Sequence, residues 1–192
     1  MTDKTATVSI VIASYNSAAF LPATIGSCLG QTYPIREVIV IDDGSADDTT
    51  AVCAKLAGQI IYERIENGGV SRARNIGAQK ATADWLIFLD SDDILLPTAT
   101  ADLLHTAQSG SASVAYGMVL QRERPGTLPK LNGFDYCVGQ PPVPAQRNFG
   151  RCAIITPGSA IVKKSLFVET GGFEVLQYLL ESGSDQKAAG RG

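Results

Sequence analysis

Four apolar runs, each followed by turn-forming residues and then by a segment of helical spacing, constrain this chain more than any other feature. Residues 7–13 read Thr-Val-Ser-Ile-Val-Ile-Ala, a β-branched and apolar run that suits a strand buried on both faces. Ser14, Tyr15, Asn16 and Ser17 supply turn and capping chemistry. Phe20, Leu21, Ile25, Cys28 and Leu29 then recur at roughly helical spacing, predicting a helix over 18–31 that Tyr33-Pro34 breaks. The same alternation predicts strands at 37–41, 60–64 and 85–89 and helices at 46–57, 70–81 and 97–108. Strands alternating with short helices imply βαβ units, a mostly parallel sheet and right-handed crossovers, an α/β fold. Ligands of such sheets bind beyond the carboxyl ends of the strands.

The pattern weakens after residue 112. Residues 114–122 are expected to form a strand, and 125–151, rich in Pro, Gly and Asn, to form long loops. Short apolar runs at 153–156 and 160–162 precede a helix expected over 164–170, ending at Gly171-Gly172. Residues 182–192 have no apolar anchor and are expected to be disordered. A length of 192 residues suits one well-buried α/β domain, and no internal repeat is evident.

A formal net charge of -3 gives no global field for nucleic acid, so a phosphate-bearing ligand needs a local basic patch or a metal ion. Cys28, Cys53, Cys137 and Cys152 are scattered, and with a single histidine, His105, they offer no converging zinc ligands. Reduced, mostly buried thiols are expected. Asp3 and Lys4 stand where a basic leader would begin, and no stretch approaches the length of a membrane helix. A cytoplasmic protein is expected, able to work in peripheral contact with the inner face of the cell membrane.

Two acidic clusters stand directly after predicted strands. Asp90-Ser91-Asp92-Asp93 packs three carboxylates into four residues, and their mutual repulsion costs stability unless a cation or hydrogen-bond donors compensate. Hard cations such as Mn2+ or Mg2+ are commonly held by one or two carboxylates plus substrate phosphates, so a strand-end DxD suits diphosphate binding. The alternative is a capping role for the helix that follows. Asp42-Asp43-Gly44-Ser45 has the same two readings: acceptors for a nucleobase N–H or ribose hydroxyl, or an Asp-Gly turn. Gly68-Gly69 opens a helix bearing Arg72 and Arg74, near a terminus that favours anions, though residues two apart do not share a helix face. No GxGxxG follows the first strand and no GxxxxGK[ST] occurs, which argues against dinucleotide and P-loop sites. His105, flanked by Leu103 and Leu104, and Trp85, at the start of a strand, read as structural.

VSIVIASYN (8–16), QTYPIREVIVIDDGSADDT (31–49), NGGVSRARNIGAQKATADWLIFLDSDD (67–93) and SAIVKKSLFVETGGF (159–173) together resemble the inverting GT-A glycosyltransferases of family 2. The resemblance is close over 7–106 and looser over 150–173. It implies a GT-A fold over 1–181, with a nucleotide-sugar-binding half at 1–110 and a partial acceptor-side half at 111–181. It further implies transfer of a sugar from a nucleotide donor, a uridine diphosphate sugar first among them, to a saccharide or lipid-linked acceptor, in polysaccharide and cell-envelope synthesis. Assembly with further copies of the chain is left open. By position, Ala13 and Tyr15 match residues lining the nucleobase pocket, and Asp43 matches the aspartate that bonds the base, with Asp42 beside it. Asp90-Ser91-Asp92 matches the DxD, Asp92 being the expected metal ligand and Asp90 lying near the ribose and diphosphate. Arg72, Arg74 and Asn75 match the segment beside the nucleotide.

The end of the chain departs from the pattern. After GGF the family has a short spacer and an acidic pair, commonly Glu-Asp, whose aspartate is the base; here Glu181 and Ser182 fall on those positions. Serine cannot serve as that base unaided. Either Glu181 substitutes, or the chain is truncated or altered there, or it binds donor without transferring sugar. The resemblance also implies further sheet elements and acceptor-site helices that this sequence does not contain. A weaker rival, a nucleotidyltransferase, would carry a basic Gly-rich loop where Ser14-Tyr15-Asn16 stands.

Overall fold

A computed structural model of the chain describes residues 5–117, 120–121, 130–131 and 157–173. The elements run β1 (Val8–Ser14), α1 (Leu21–Leu29), β2 (Glu37–Asp42), α2 (Thr49–Ala54), β3 (Ile61–Arg64), α3 (Val70–Lys80), β4 (Trp85–Asp90), α4 (Ala99–Ser109) and β5 (Val114–Tyr116). They continue with β6 (Leu120–Gln121), β7 (Lys130–Leu131), β8 (Ala160–Lys163) and α5 (Lys164–Glu169). Six strands form one sheet in the order β3-β2-β1-β4-β8-β5, and β6 pairs with β7 in a separate ribbon. β3, β2, β1 and β4 are parallel, whereas β8 runs antiparallel to both β4 and β5. The expected mostly parallel α/β sheet is therefore present, with its mixed edge supplied by the second half of the chain.

The strand sequences explain the layers. All seven residues of β1 are buried, because helices cover both faces. Val8, Ile10 and Ile12 pack with Val38, Val40, Ile87 and Leu89 beneath Ile25, Cys28, Leu103 and Leu104 of α1 and α4. Val11, Ala13, Ile39, Ile41, Leu86 and Phe88 form the opposite face, under Ala73 and Ala78 of α3 and Phe167 of α5. Each large aliphatic side chain buried this way contributes on the order of 1.5–3 kcal/mol. α3 lies unusually close to β1: a Cβ on Gly77 would stand 2.2 Å from Val11 Cγ1, so only glycine fits there.

Helix boundaries are tighter than periodicity predicts. α1 begins at Leu21 rather than 18 because Ser17 accepts bonds from the N–H groups of Phe20 and Leu21 in a preceding turn. α2 shrinks to Thr49–Ala54 because Asp47 accepts from Thr49 N and Oγ1 and holds residues before 49 in a turn. α4 starts at Ala99, not Pro97, whose carbonyl instead accepts from Thr32 N. The strand expected over 114–122 is broken after Tyr116, where Gly117 N donates to Ser159 O. α5 ends as expected at two glycines: Gly172 N reaches Phe167 O, Gly171 N reaches Val168 O, and both glycines have positive φ. The apolar run at 153–156, the loops at 125–151, Cys137, Cys152 and the tail at 182–192 lie outside the described residues. Cys28 and Cys53 are buried free thiols; burial pushes them up to about 12 and about 11. No helix among the described residues is long and apolar enough to cross a membrane. Trp85 is packed in the core, and His105 sits on the surface with Nε2 3.4 Å from Ser109 Oγ.

Candidate functional site

The parallel strands bring the two acidic clusters to one rim. Ser14 lies opposite Asp42 and Ala13 opposite Asp90, so β2, β1 and β4 end level with one another. With neighbouring strands about 4.8 Å apart, the ends of β2 and β4 stand roughly 10 Å apart across β1. The loop after β1 is stitched to both neighbours. Asn16, at a φ of 50°, donates its N–H to Ser45 Oγ at 2.9 Å and accepts from Ala46 N at 2.7 Å. Ser17 Oγ meets Ser91 Oγ at 2.6 Å, and Thr24 Oγ1 donates to Ser91 O at 2.9 Å. Between these stitches Tyr15 is left 53% exposed, whereas Ala13 is buried in the sheet core.

On the β2 side the paired aspartates divide. Asp42 is fully buried; Oδ1 accepts from Ser45 N and Oδ2 from Tyr62 Oη, both at 2.8 Å. Arg64 adds charge from 3.7 Å. As the last residue of β2, Asp42, expected beside the base-binding aspartate, has its carboxylate in the face holding Cys53 and Tyr62. Burial, with the Asp42 acceptor and charge adding to it, pushes the Tyr62 hydroxyl up to about 12. Asp43 follows the carboxyl end of β2 but is itself only 4% exposed, and its oxygens have work: Oδ1 accepts from Gly68 N and Oδ2 from Gly69 N, each at 2.8 Å. The anion drawn to the start of α3 is thus Asp43 itself. Each carboxylate oxygen carries two acceptor sites, so among the described residues one per oxygen is still unused.

On the β4 side, Asp90 Oδ1 takes a 2.5 Å bond from Arg74 Nη2, which leaves Oδ2 without a protein partner among the described residues. Asp92 is exposed and makes no hydrogen bond or ion pair among the described residues. Burial, followed by the charges of Asp90 and Asp92, raises the pKa of Asp93 from its ordinary value. The turn is closed by Asp93 N donating to Asp90 O, and Gly158 packs against it, where a Cβ would lie 2.7 Å from Leu89 Cδ1. Among the described residues no three His, Cys, Asp or Glu side chains converge to hold a metal unaided. The unpaired Asp92 and the free Asp90 oxygen instead offer an incomplete set of hard oxygen donors. That set fits a divalent cation whose remaining ligands are phosphate and water.

The basic segment splits as helix geometry requires. Arg74 turns inward to Asp90, whereas Arg72 is exposed and donates from Nη1 to Glu66 O at 2.7 Å. Asn75 spends both amide atoms on main chain: Nδ2 donates to Phe173 O and Oδ1 accepts from Phe173 N, each at 2.9 Å. Of the predicted site residues, Ala13, Tyr15, Asp43, Asp90, Ser91 and Asp92 fall at the carboxyl ends of β1, β2 and β4, with Tyr15 and Asp92 exposed, Ala13 and Asp43 buried, and Arg74 against Asp90. Arg72 and Asn75 face other partners, and Glu181 lies outside the described residues. Asn16, Ser17, Ser45 and Thr24, which fix the rim loops, were missed; Asn16 and Ser17 sit in the turn after β1, but nothing local in a sequence reveals partners 29 or 74 residues away.

A mostly parallel α/β sheet with acidic residues at its strand ends and antiparallel β8 beside β4 is the fold of the GT-A glycosyltransferases. Residues 9–171 match the profile of glycosyl transferase family 2, and the chain belongs to that family. The glycosyltransferase GlyG of Streptococcus pneumoniae is 30% identical over 175 residues, covering 84% of this chain and 58% of that protein. The Escherichia coli protein WfaP, a UDP-Glc:alpha-D-GlcNAc-diphosphoundecaprenol beta-1,3-glucosyltransferase, is 36% identical over 112 residues, 57% of this chain and 44% of its own. The chain therefore spans about half the length of the curated relatives it matches. Among solved structures, residues 1–349 of Staphylococcus aureus TarS in complex with UDP superpose with a TM-score of 0.65 at 21% identity, over 86% of this chain and 49% of that one. The mannosyltransferase PcManGT of Pyrobaculum calidifontis, in complex with GDP-Man and Mn2+, gives 0.62 at 19% identity, over 88% and 48%. At these identities the likeness concerns the fold.

Proposed function

We propose that the rim binds a nucleoside diphosphate sugar, a uridine diphosphate sugar in the first instance, for inverting transfer to a saccharide or lipid-linked acceptor. The observation that carries this reading is the placement of Asp43 and Asp92 on one edge of a parallel sheet with exposed Tyr15 between them. The UDP named for the TarS complex, the UDP-glucose donor named for WfaP and the Mn2+ named for PcManGT support the donor class and the cation.

In this reading Tyr15 and Ala13 flank the base, and Asp43 accepts a base N–H or ribose hydroxyl through a lone pair the glycine amides leave open. Those amides hold the carboxylate in place before the ligand arrives, so little ordering is needed on binding. Asp92, with Asp90, would hold Mn2+ or Mg2+, which when bound neutralises charge growing on the departing diphosphate. Arg74 sets the orientation of Asp90. Glu181 is assigned the removal of the acceptor hydroxyl proton, opposite the leaving group. Holding donor and acceptor in line supplies much of the rest of the rate. A second reading, a donor-binding module without transfer, is favoured by Ser182 at the position of the family's base.

Donor turnover and sugar transfer against a panel of acceptors, with and without Mn2+, separate the two. Replacing Glu181 by Ala is expected to lower transfer by about 10²–10⁴-fold, the usual worth of a general base, with nucleotide affinity kept. Transfer untouched by that change would remove Glu181 from the role. Nucleotide binding without turnover on any acceptor would establish the binding module.

A further inference from the structure

Helix α3 carries adjacent residues with different partners, and these partners meet. Arg74 is largely buried, its side chain 12% exposed, and its Nε has no hydrogen-bond acceptor among the described residues. Among the described residues its side-chain hydrogen bond runs from Nη2 to Asp90. The guanidinium is otherwise held by the ring of Phe173, with Cζ 5.3 Å from the ring centre. A buried donor without an acceptor gains by rotating toward one, so the pose of Arg74 depends on that ring as a shelf.

The ring is fixed in turn. It packs edge-on against Phe88 at 4.9 Å and against Phe167 at 5.4 Å, and its backbone is clasped on both sides by the Asn75 amide. Gly172, at a φ of 77°, makes the clasp feasible, since a Cβ there would lie 2.6 Å from Asn75 Oδ1. Phe88 and Asp90 stand two residues apart on β4 and so share a face of the sheet. Asn75, Phe173, Arg74 and Asp90 form one uninterrupted sequence of contacts.

We propose that Asn75 is a positioning residue for the Asp90 carboxylate, acting through Phe173 and Arg74; this rests on the reading of Asp90 as part of the donor site. Asn75 needs no contact with the nucleotide to affect its binding. Loss of the clasp lets the Phe173 ring tilt, the guanidinium rotates to satisfy Nε, and Asp90 loses its fixed orientation.

The test uses the full chain, ¹⁵N-labelled, with Asn75→Ala, Arg74→Lys and the double variant. Thermal unfolding serves as a control for global damage, and Asn75→Asp, which keeps the acceptor for Phe173 N–H, carries the test if the alanine variant does not fold. The Arg74 Nε–H resonance is expected to shift and to exchange faster with water in the Asn75 variants. UDP affinity measured with Mn2+ is expected to fall about tenfold in Asn75→Ala, and no further in the double variant than in Arg74→Lys alone. An Arg74 resonance unmoved by loss of the Asn75 amide, or losses that multiply in the double variant, would overturn the proposal. If the wild-type chain binds no UDP, the donor-site reading fails, and the resonance alone decides whether Asn75 positions Arg74.

Discussion

Adjacent carboxylates at the end of β2 show how one residue of offset decides a role. Asp42 ends the strand and turns inward to Ser45 N and Tyr62, whereas Asp43 begins the turn and faces the loop before α3. Asp43 also clamps the loop before α3 through Gly68 N and Gly69 N. Asp43→Asn should therefore harm fold and ligand together. The asparagine can accept from one amide but presents an NH2 to the other, so a hydrogen bond to a charged group at a half-exposed amide is lost, at about 1 kcal/mol. Denaturant unfolding should show that loss, and calorimetry should show weaker nucleotide binding in the same variant. A variant of wild-type stability would mean that the two glycine amides find water instead.

Among the elements, the strands and their order of appearance were plain in the sequence because long apolar runs have few alternatives. Helix ends were less plain, since they are set by side chains such as Asp47 and by turns such as 17–21. β8 is the clearest illegible element. Its four residues carry no period of their own, and its place between β4 and β5 depends on pairings such as Ala115 with Ile161, far apart in the chain. At the opposite end of the sheet, Glu37 ties elements together: Oε1 accepts from Ser9 Oγ at 2.6 Å and from Thr82 N at 2.5 Å. Burial raises its pKa, but the bonds from Ser9 and Thr82 and the Arg36 charge outweigh that and lower it overall. A carboxylate depressed in the folded state adds stability above its unfolded pKa, and that stability is lost as pH falls through the folded one. Glu37→Gln should thus cost about 1 kcal/mol or less at neutral pH, because solvent screens a partly exposed group. The difference from wild type in thermal unfolding should close as pH drops below the carboxylate range. A constant difference at all pH values would show that charge has no part in it.

For the whole molecule, the candidate site was legible to the extent that it follows from topology. Parallel strands put their carboxyl ends on one side, so DDGS and DSDD had to share a rim once the βαβ order was right. What the sequence could not show is how the rim residues divide their bonds. Asp42 turns to Tyr62, Asp43 to two glycine amides, Asn75 to Phe173, while Asp92 keeps none among the described residues. That division makes Asp92 the most direct test of the donor-site reading. Calorimetric titration of UDP, with and without Mn2+, should be run on the wild-type chain and on Asp92→Ala. The account predicts tighter binding with Mn2+ in the wild type, loss of most of that gain in the variant, and nearly equal metal-free affinity in both. Equal metal-dependent binding in the two proteins would contradict it.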